Sequence, residues 1–353
     1  PDEVVRHEGV PRGKLVQGVF RDSQVFPGTE RDYWLYVPTQ LPADQPAPLM
    51  VFQDGQKYCA EDRGARAPIV FDNLIHTGEL PPLVGLFVNP GVVPAAGESA
   101  LPRFNRSFEY DDVSDRYARF LIEEMLPFIE AKHGVKISED ANDRGICGAS
   151  SGGICAFAAA WNRPDAFRRV GSTIGTYVGL RGGDELATLV RKTEPKPLRI
   201  FLQDGDQDLN IYAGDWWMAN QTMNRALQWA GYEVEHVWGS GGHNRNHEAA
   251  IFPQMMRWLW QDYPQPVRTH PERSQSRAAE LLADESEWEL IGEGYEWAEG
   301  LALTPDGVLY FSDVPAAKIY RVPPGGKPEL FVSDSGKANG VSGGPADTSP
   351  AGP

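Results

Sequence analysis

The chain has 353 residues, 41% of them hydrophobic, and a formal net charge of −16. That length and apolar content support a large core, one α/β domain plus something extra, while the acidic balance argues against nucleic acid or anionic membrane surfaces as partners. No apolar run reaches the roughly 18 residues of a membrane span, and Cys59, Cys147 and Cys155 offer neither a disulfide framework nor metal-ligand spacing.

The chain opens on Pro1 rather than a methionine, so a leader is not legible in it; a periplasmic or secreted protein is the expectation. Residues 13–20 and 31–37 read as strands joined by a loop holding Gly28 and Thr29. In the second, Tyr33, Leu35 and Val37 alternate with Trp34 and Tyr36, a period of two that suits a sheet edge with one wetter face. A loop rich in proline (Pro38, Pro42, Pro46, Pro48) leads to a short buried strand, 49–52, and 83–88 is another. Ser114 can cap the next helix, along which Tyr117, Leu121, Met125 and Phe128 recur every three or four residues; Pro127 should kink it near its end.

Gly148-Ala149-Ser150-Ser151-Gly152-Gly153 is a G-x-S-x-G stretch between a partly apolar run, 144–147, and the alanine-rich helix former 154–161. Strand, tight glycine turn and helix form the context of a nucleophile elbow, in which small residues let the chain turn sharply and expose a strained serine. The helix would aim its N-terminal amides and dipole at the same place. Strands at 170–174 and 198–202, a helix at 216–230, a strand at 233–238 and a helix at 249–260 complete the pattern. Such alternation predicts an α/β fold with a mainly parallel sheet and helices on both faces.

A serine nucleophile needs a base and an acid, which in such a fold follow it in the order acid, then histidine, on loops after later strands. That order removes His7, His76 and His133; His236 lies inside a strand, and His270 lies among Pro and Arg residues past the last helix. His243, directly after Gly241-Gly242, is preferred over His247 for its place in the loop after a strand. The pair lacks the H-E-x-x-H glutamate, so zinc is discounted. The acid lies in 203–208, where Asp204, Asp206 and Asp208 are all available and spacing alone does not choose among them.

Further pieces then join these: Val51-Phe52-Gln53-Asp54-Gly55-Gln56, Arg106-Ser107-Phe108-Glu109-Tyr110, Glu123 to Phe128, Arg163 to Phe167, and Arg257-Trp258-Leu259-Trp260. In this order, across about residues 10–263, the chain resembles the Putative esterase family of α/β-hydrolases, which includes enterochelin esterases, feruloyl esterases and mycolyltransferases. The resemblance implies Ser150 as nucleophile, Asp208 as acid and His243 as base, with an oxyanion hole from the backbone N–H groups of Ser151 and Gln56. Asp54-Gly55 stands where many hydrolases have His-Gly.

The expectation is therefore a serine esterase working through an acyl-enzyme on a small-molecule or carbohydrate-linked ester, hydroxycinnamoyl or siderophore-type, with no cofactor. An acyltransferase with the same triad and an inactive sugar-binding homologue are the alternatives. Tyr212, Trp216 and Trp217 could line a substrate pocket or pack as core. Arg103 and Arg106 with Glu109 could bind a substrate carboxylate or form a structural ion pair. Oligomeric state is not legible.

The expected hydrolase domain spans 1–263, a linker 264–285, a β segment 286–341 and a disordered tail 342–353. In the β segment Asp306-Gly307 between apolar alternations signals a hairpin. With Trp297 to Leu301, Lys318 to Val322 and Ala338-Asn339-Gly340 it resembles the opening of a gluconolactonase/regucalcin-type propeller. That family's metal ligands would fall on Glu299 and Asn339, but about one blade cannot close a ring, so no working metal site is expected.

Overall fold

Alternate residues of one five-residue strand, Leu49–Gln53 (β3), set the layering of the first unit. Leu49 and Val51 face one apolar cluster and Met50 and Phe52 the other, because successive side chains of a strand point to opposite faces. The computed structural model describes residues 1–42, 45–275 and 289–341, and the chain divides into two units, Pro1–Ala279 and Glu280–Pro353.

The first unit is built on eight strands: Lys14–Phe20 (β1), Arg31–Val37 (β2), β3, Val84–Val88 (β4), Arg144–Ala149 (β5), Arg169–Thr173 (β6), Arg199–Gln207 (β7) and Glu233–Gly242 (β8). Their order is β1-β2-β4-β3-β5-β6-β7-β8. From β4 to β8 neighbours are parallel, and β2 alone is antiparallel to both its neighbours. This is the α/β-hydrolase arrangement, as expected. Ala67–His76 (α1) and Asn246–Trp260 (α6) cover the face of Met50 and Phe52. The opposite face carries Leu126–His133 (α2), Ser151–Asn162 (α3), Leu186–Lys192 (α4) and Trp216–Ala230 (α5).

The first unit differs from the sequence expectation at one strand and two helices. β2 lies second from the edge, and Tyr36 is buried, its hydroxyl donating to Asp72 of α1 at 2.7 Å. α1, which is buried along nearly its whole length, was not expected from the sequence. The helix expected after Ser114 runs as Arg116–Arg119, a π-helical stretch Phe120–Met125, and then α2. Pro127 lacks an N–H and crowds the turn before it, and a widened turn precedes it.

Residues 264–275, expected as linker, lie along the first unit: the Val267 N–H donates to Asn142 at 2.9 Å and the Gln275 N–H to Trp229 O at 2.7 Å. The rest of the expected linker to residue 285, and the expected tail 342–353, fall outside the described residues. In the second unit Ala298–Leu303 (β9), Leu309–Asp313 (β10), Lys318–Val322 (β11) and Glu329–Val332 (β12) form an antiparallel meander. Gly307, at φ +82°, takes the turn between β9 and β10, and Tyr295, Phe311 and Tyr320 cluster on the sheet.

Candidate active site

Ser150 sits where β5 ends and α3 begins, at φ +61° and ψ −125°, a backbone state costing a non-glycine residue about 1–3 kcal/mol. Backbone bonds hold it there: its N–H donates to Thr173 O at 2.9 Å, and its carbonyl accepts from the N–H groups of Gly153 at 2.9 Å and of Ile154 and Thr176, both at 3.2 Å. The turn needs its glycines. A Cβ on Gly148 would lie 2.3 Å from Gly152 O, and one on Gly153 would lie 2.8 Å from Ser172 Oγ.

His243 and Asp208 reach this serine through strand extension. β7 continues five residues beyond its expected end at 202, and β8 continues beside it, with Trp238, Gly239 and Gly242 opposite Asp204, Gly205 and Gln207. His243 and Asp208 are the next residue on each strand. Ser150 Oγ lies 2.9 Å from His243 Nε2, and His243 Nδ1 lies 2.5 Å from Asp208 Oδ1. A carboxylate only accepts, so Nδ1 carries the proton and Nε2 is left to accept from the serine hydroxyl. Burial pushes the Asp208 carboxyl up, but the bonds with His243 and the Leu209 N–H, and the neighbouring Asp204 carboxyl, outweigh it and hold it below its ordinary value.

The other two aspartates of 203–208 take different places. Asp206 is exposed. Asp204 is fully buried, its Oδ1 accepting the Gly205 N–H at 2.7 Å. His247 is structural, with Nδ1 3.1 Å from Gln203 Nε2 and its ring packed over Gly239. His236 stands on β8 against Trp238, and His270 pairs with Glu233 at 2.9 Å.

Ser151 is the first residue of α3, so its N–H has no intrahelical acceptor. The Gln56 N–H is directed at Asn89 Oδ1, 3.2 Å away, and is free for an oxyanion only when that bond is given up. Beside them Asp54, at φ +53°, receives a bidentate bond from Arg106, at 2.9 Å and 2.7 Å, and Arg106 also reaches Ala149 O at 3.4 Å. Its fork is thus occupied by the protein's own carboxylate. Glu109 is removed from the substrate set altogether: it is fully buried and paired with Arg31 at 2.8 Å. A buried ion needs a partner, and here both partners belong to the core. Arg103 bonds to Asn105 instead.

Trp216 is buried behind the site, its ring edge-on to His243 with centroids 5.9 Å apart and its Nε1 donating to Thr176 Oγ1 at 3.3 Å. Trp217 packs on Trp238, and Tyr212 is exposed at the tip of the hairpin 210–215. In the second unit Glu299 accepts a bond from Trp297 Nε1 at 2.8 Å.

Two contributors were not read from the sequence. Thr176 places Oγ1 3.4 Å from Ser150 Oγ. Glu248, buried in α6, accepts from Thr173 at 2.9 Å and from Tyr58, and pairs with Arg245 at 2.5 Å. It thereby ties the segment after His243 to the residue whose carbonyl holds the Ser150 amide. Neither lies in a local motif; the packing of β6 against α6 is what brings Thr173 and Glu248 together.

The sequence pattern of the family described as "Putative esterase" matches residues 23–259. An iron(III) enterobactin esterase from Dickeya dadantii (strain 3937) is 29% identical over 250 residues, which are 65% of this chain and 52% of that protein. The chain thus spans about half the length of that curated relative. Two solved structures share the fold. A ferric enterobactin esterase from Salmonella typhimurium has a TM-score of 0.57 at 23% identity, over 71% of this chain and 59% of that one. A ferulic acid esterase from Anaeromyces mucronatus, in complex with ferulic acid, has a TM-score of 0.54 at 19% identity, over 73% and 95%.

Proposed function

The chain belongs to the Putative esterase family, and from that premise we propose that it is a serine carboxylic-ester hydrolase with Ser150 as nucleophile, His243 as base and Asp208 as acid. The observation that carries the reading is the chain of hydrogen bonds from Ser150 Oγ through His243 to Asp208, anchored on a strained serine at the end of β5. Ser150 attacks the ester carbonyl as Nε2 takes its proton, and the Asp208 carboxylate stabilises the resulting imidazolium. The Ser151 N–H, joined by that of Gln56 once it leaves Asn89, stabilises the oxyanion, each donor contributing on the order of 3 kcal/mol. His243 protonates the leaving alcohol, and water hydrolyses the acyl-enzyme by the reverse steps.

The substrate class we propose is a hydroxycinnamoyl, carbohydrate-linked or siderophore-type ester, supported by the names of the relatives above. For residues 286–341 we retain the reading of one gluconolactonase-like blade, which the four-stranded meander supports.

Fluorophosphonate labelling tests the nucleophile: the protein is expected to be labelled at Ser150, and an unlabelled Ser150 in folded protein overturns the triad. A panel of feruloyl, acetyl, glucuronoyl and siderophore esters, with and without an acceptor alcohol, then separates the substrate classes and hydrolysis from acyl transfer.

A further inference from the structure

Behind His243 the site holds a second carboxyl. Asp204 is fully buried at the end of β7, and its Oδ2 finds no donor among the described residues; neither does Oδ2 of Asp208. The Asp208 N–H donates to Gly205 O at 3.0 Å, a turn that folds Asp208 back beside Asp204, and each carboxyl there alters the other's hold on its proton. Two ionised carboxylates side by side in a dry site repel strongly, whereas one proton between them satisfies both orphaned oxygens. We propose that Asp204 is a positioning residue for the catalytic acid, its Oδ2–H donating to Asp208 Oδ2 and so fixing the carboxylate that orients His243. The proposal rests on the triad reading above.

The direction of donation follows from the surroundings. Asp208 already accepts from His243 and from the Leu209 N–H at 2.6 Å, so it is the partner stabilised as an anion. Asp204 has only the Gly205 N–H and the neutral side chain of Asn220 from α5, and the charge facing it is that of Asp208 with His243 beyond. Burial first, then the bond and charge of Asp208, push its carboxyl up to about 9. The acceptor beside it, Asp208 Oδ2, is charged, and a charge-assisted bond is stronger than one between neutral groups.

The arrangement has a signature in pH. When Asp204 ionises, a second anion stands beside Asp208 and the donor is lost, so kcat falls through an alkaline limb near pH 9. Stability follows the same sign. The carboxyl is raised above its unfolded value, so its contribution is complete at acid pH and is lost as pH rises through the folded value.

The test compares wild type, D204N and D204A across pH. An asparagine keeps a neutral donor to Asp208 and cannot ionise. D204N is expected to lose the alkaline limb and to exceed D204A in kcat by about tenfold at pH 7 with KM little changed, the scale of one charge-assisted hydrogen bond. The Tm of D204N is expected to gain on wild type as pH rises from 4 to 9. Infrared spectra of unmodified protein at pH 7 are expected to show the carbonyl stretch of a protonated carboxyl. An unchanged alkaline limb in D204N, equal kcat in D204N and D204A, or no protonated-carboxyl band overturns the proposal. Labelling of Ser150 in the same samples separates this from failure of the triad: labelled serine with an unmoved limb rejects Asp204 alone.

Discussion

His243 and Asp208 are neighbours because they follow directly on the register partners Gly242 and Gln207, where two parallel strands outrun the rest of the sheet. The 2.5 Å contact between them is thus a consequence of strand pairing. A Cβ on Gly205 would lie 2.1 Å from Gly241 O. Gly205→Ala is therefore expected to force the two strand ends apart, at about 1–3 kcal/mol of stability. Its loss of kcat should exceed what the lost stability explains. A variant that keeps wild-type kcat after thermal unfolding confirms the destabilisation would contradict this coupling.

Ser150→Ala removes the proposed nucleophile and is expected to lower hydrolysis of an activated ester by at least about a thousandfold. Because alanine keeps the positive-φ strain and glycine does not, Ser150→Gly should melt no lower than Ser150→Ala. Stopped assays and calorimetry on the two variants check both statements.

Asp208→Asn preserves shape but lets His243 settle in the wrong tautomer, for an expected loss of about ten thousandfold in kcat. The native carboxyl is held below its ordinary value, so the stability it contributes is present above about pH 4 and is lost as pH falls through the folded value. The variant should therefore show a weaker fall in Tm on acidification than wild type. Parallel acid melts of the two proteins measure it.

Glu109→Gln distinguishes a core ion pair from a substrate contact. With Arg31 left buried and uncompensated, stability should fall by about 3 kcal/mol while KM is unchanged. A raised KM in folded protein would restore Glu109 to the substrate site.

Glu248→Ala should likewise destabilise by about 3 kcal/mol, because Arg245 then loses its buried partner. Unlike the Glu109 change, it is expected to lower kcat as well, since Glu248 bonds Thr173, whose carbonyl holds the Ser150 amide. Urea unfolding with matched kinetics separates the two substitutions.

Local chemistry made much of this protein readable. The glycine pattern around Ser150 specifies a strand-to-helix turn because larger residues would collide there, and chain order with loop position singled out His243. Alternating apolar runs set the α/β class, since parallel strands buried on both faces read as short apolar stretches.

What only the tertiary structure decided is which charged groups meet. Three aspartates within five residues look alike in sequence. Strand extension then exposes Asp206, sets Asp208 against His243 and buries Asp204 behind them. Likewise Arg106 and Glu109 share one short helix, yet Arg106 turns to Asp54 beside the serine and Glu109 to Arg31 in the core. The type of side chain is written in the sequence; its proton affinity and partner depend on burial and on residues dozens of positions away, which only the packed chain brings within hydrogen-bonding distance.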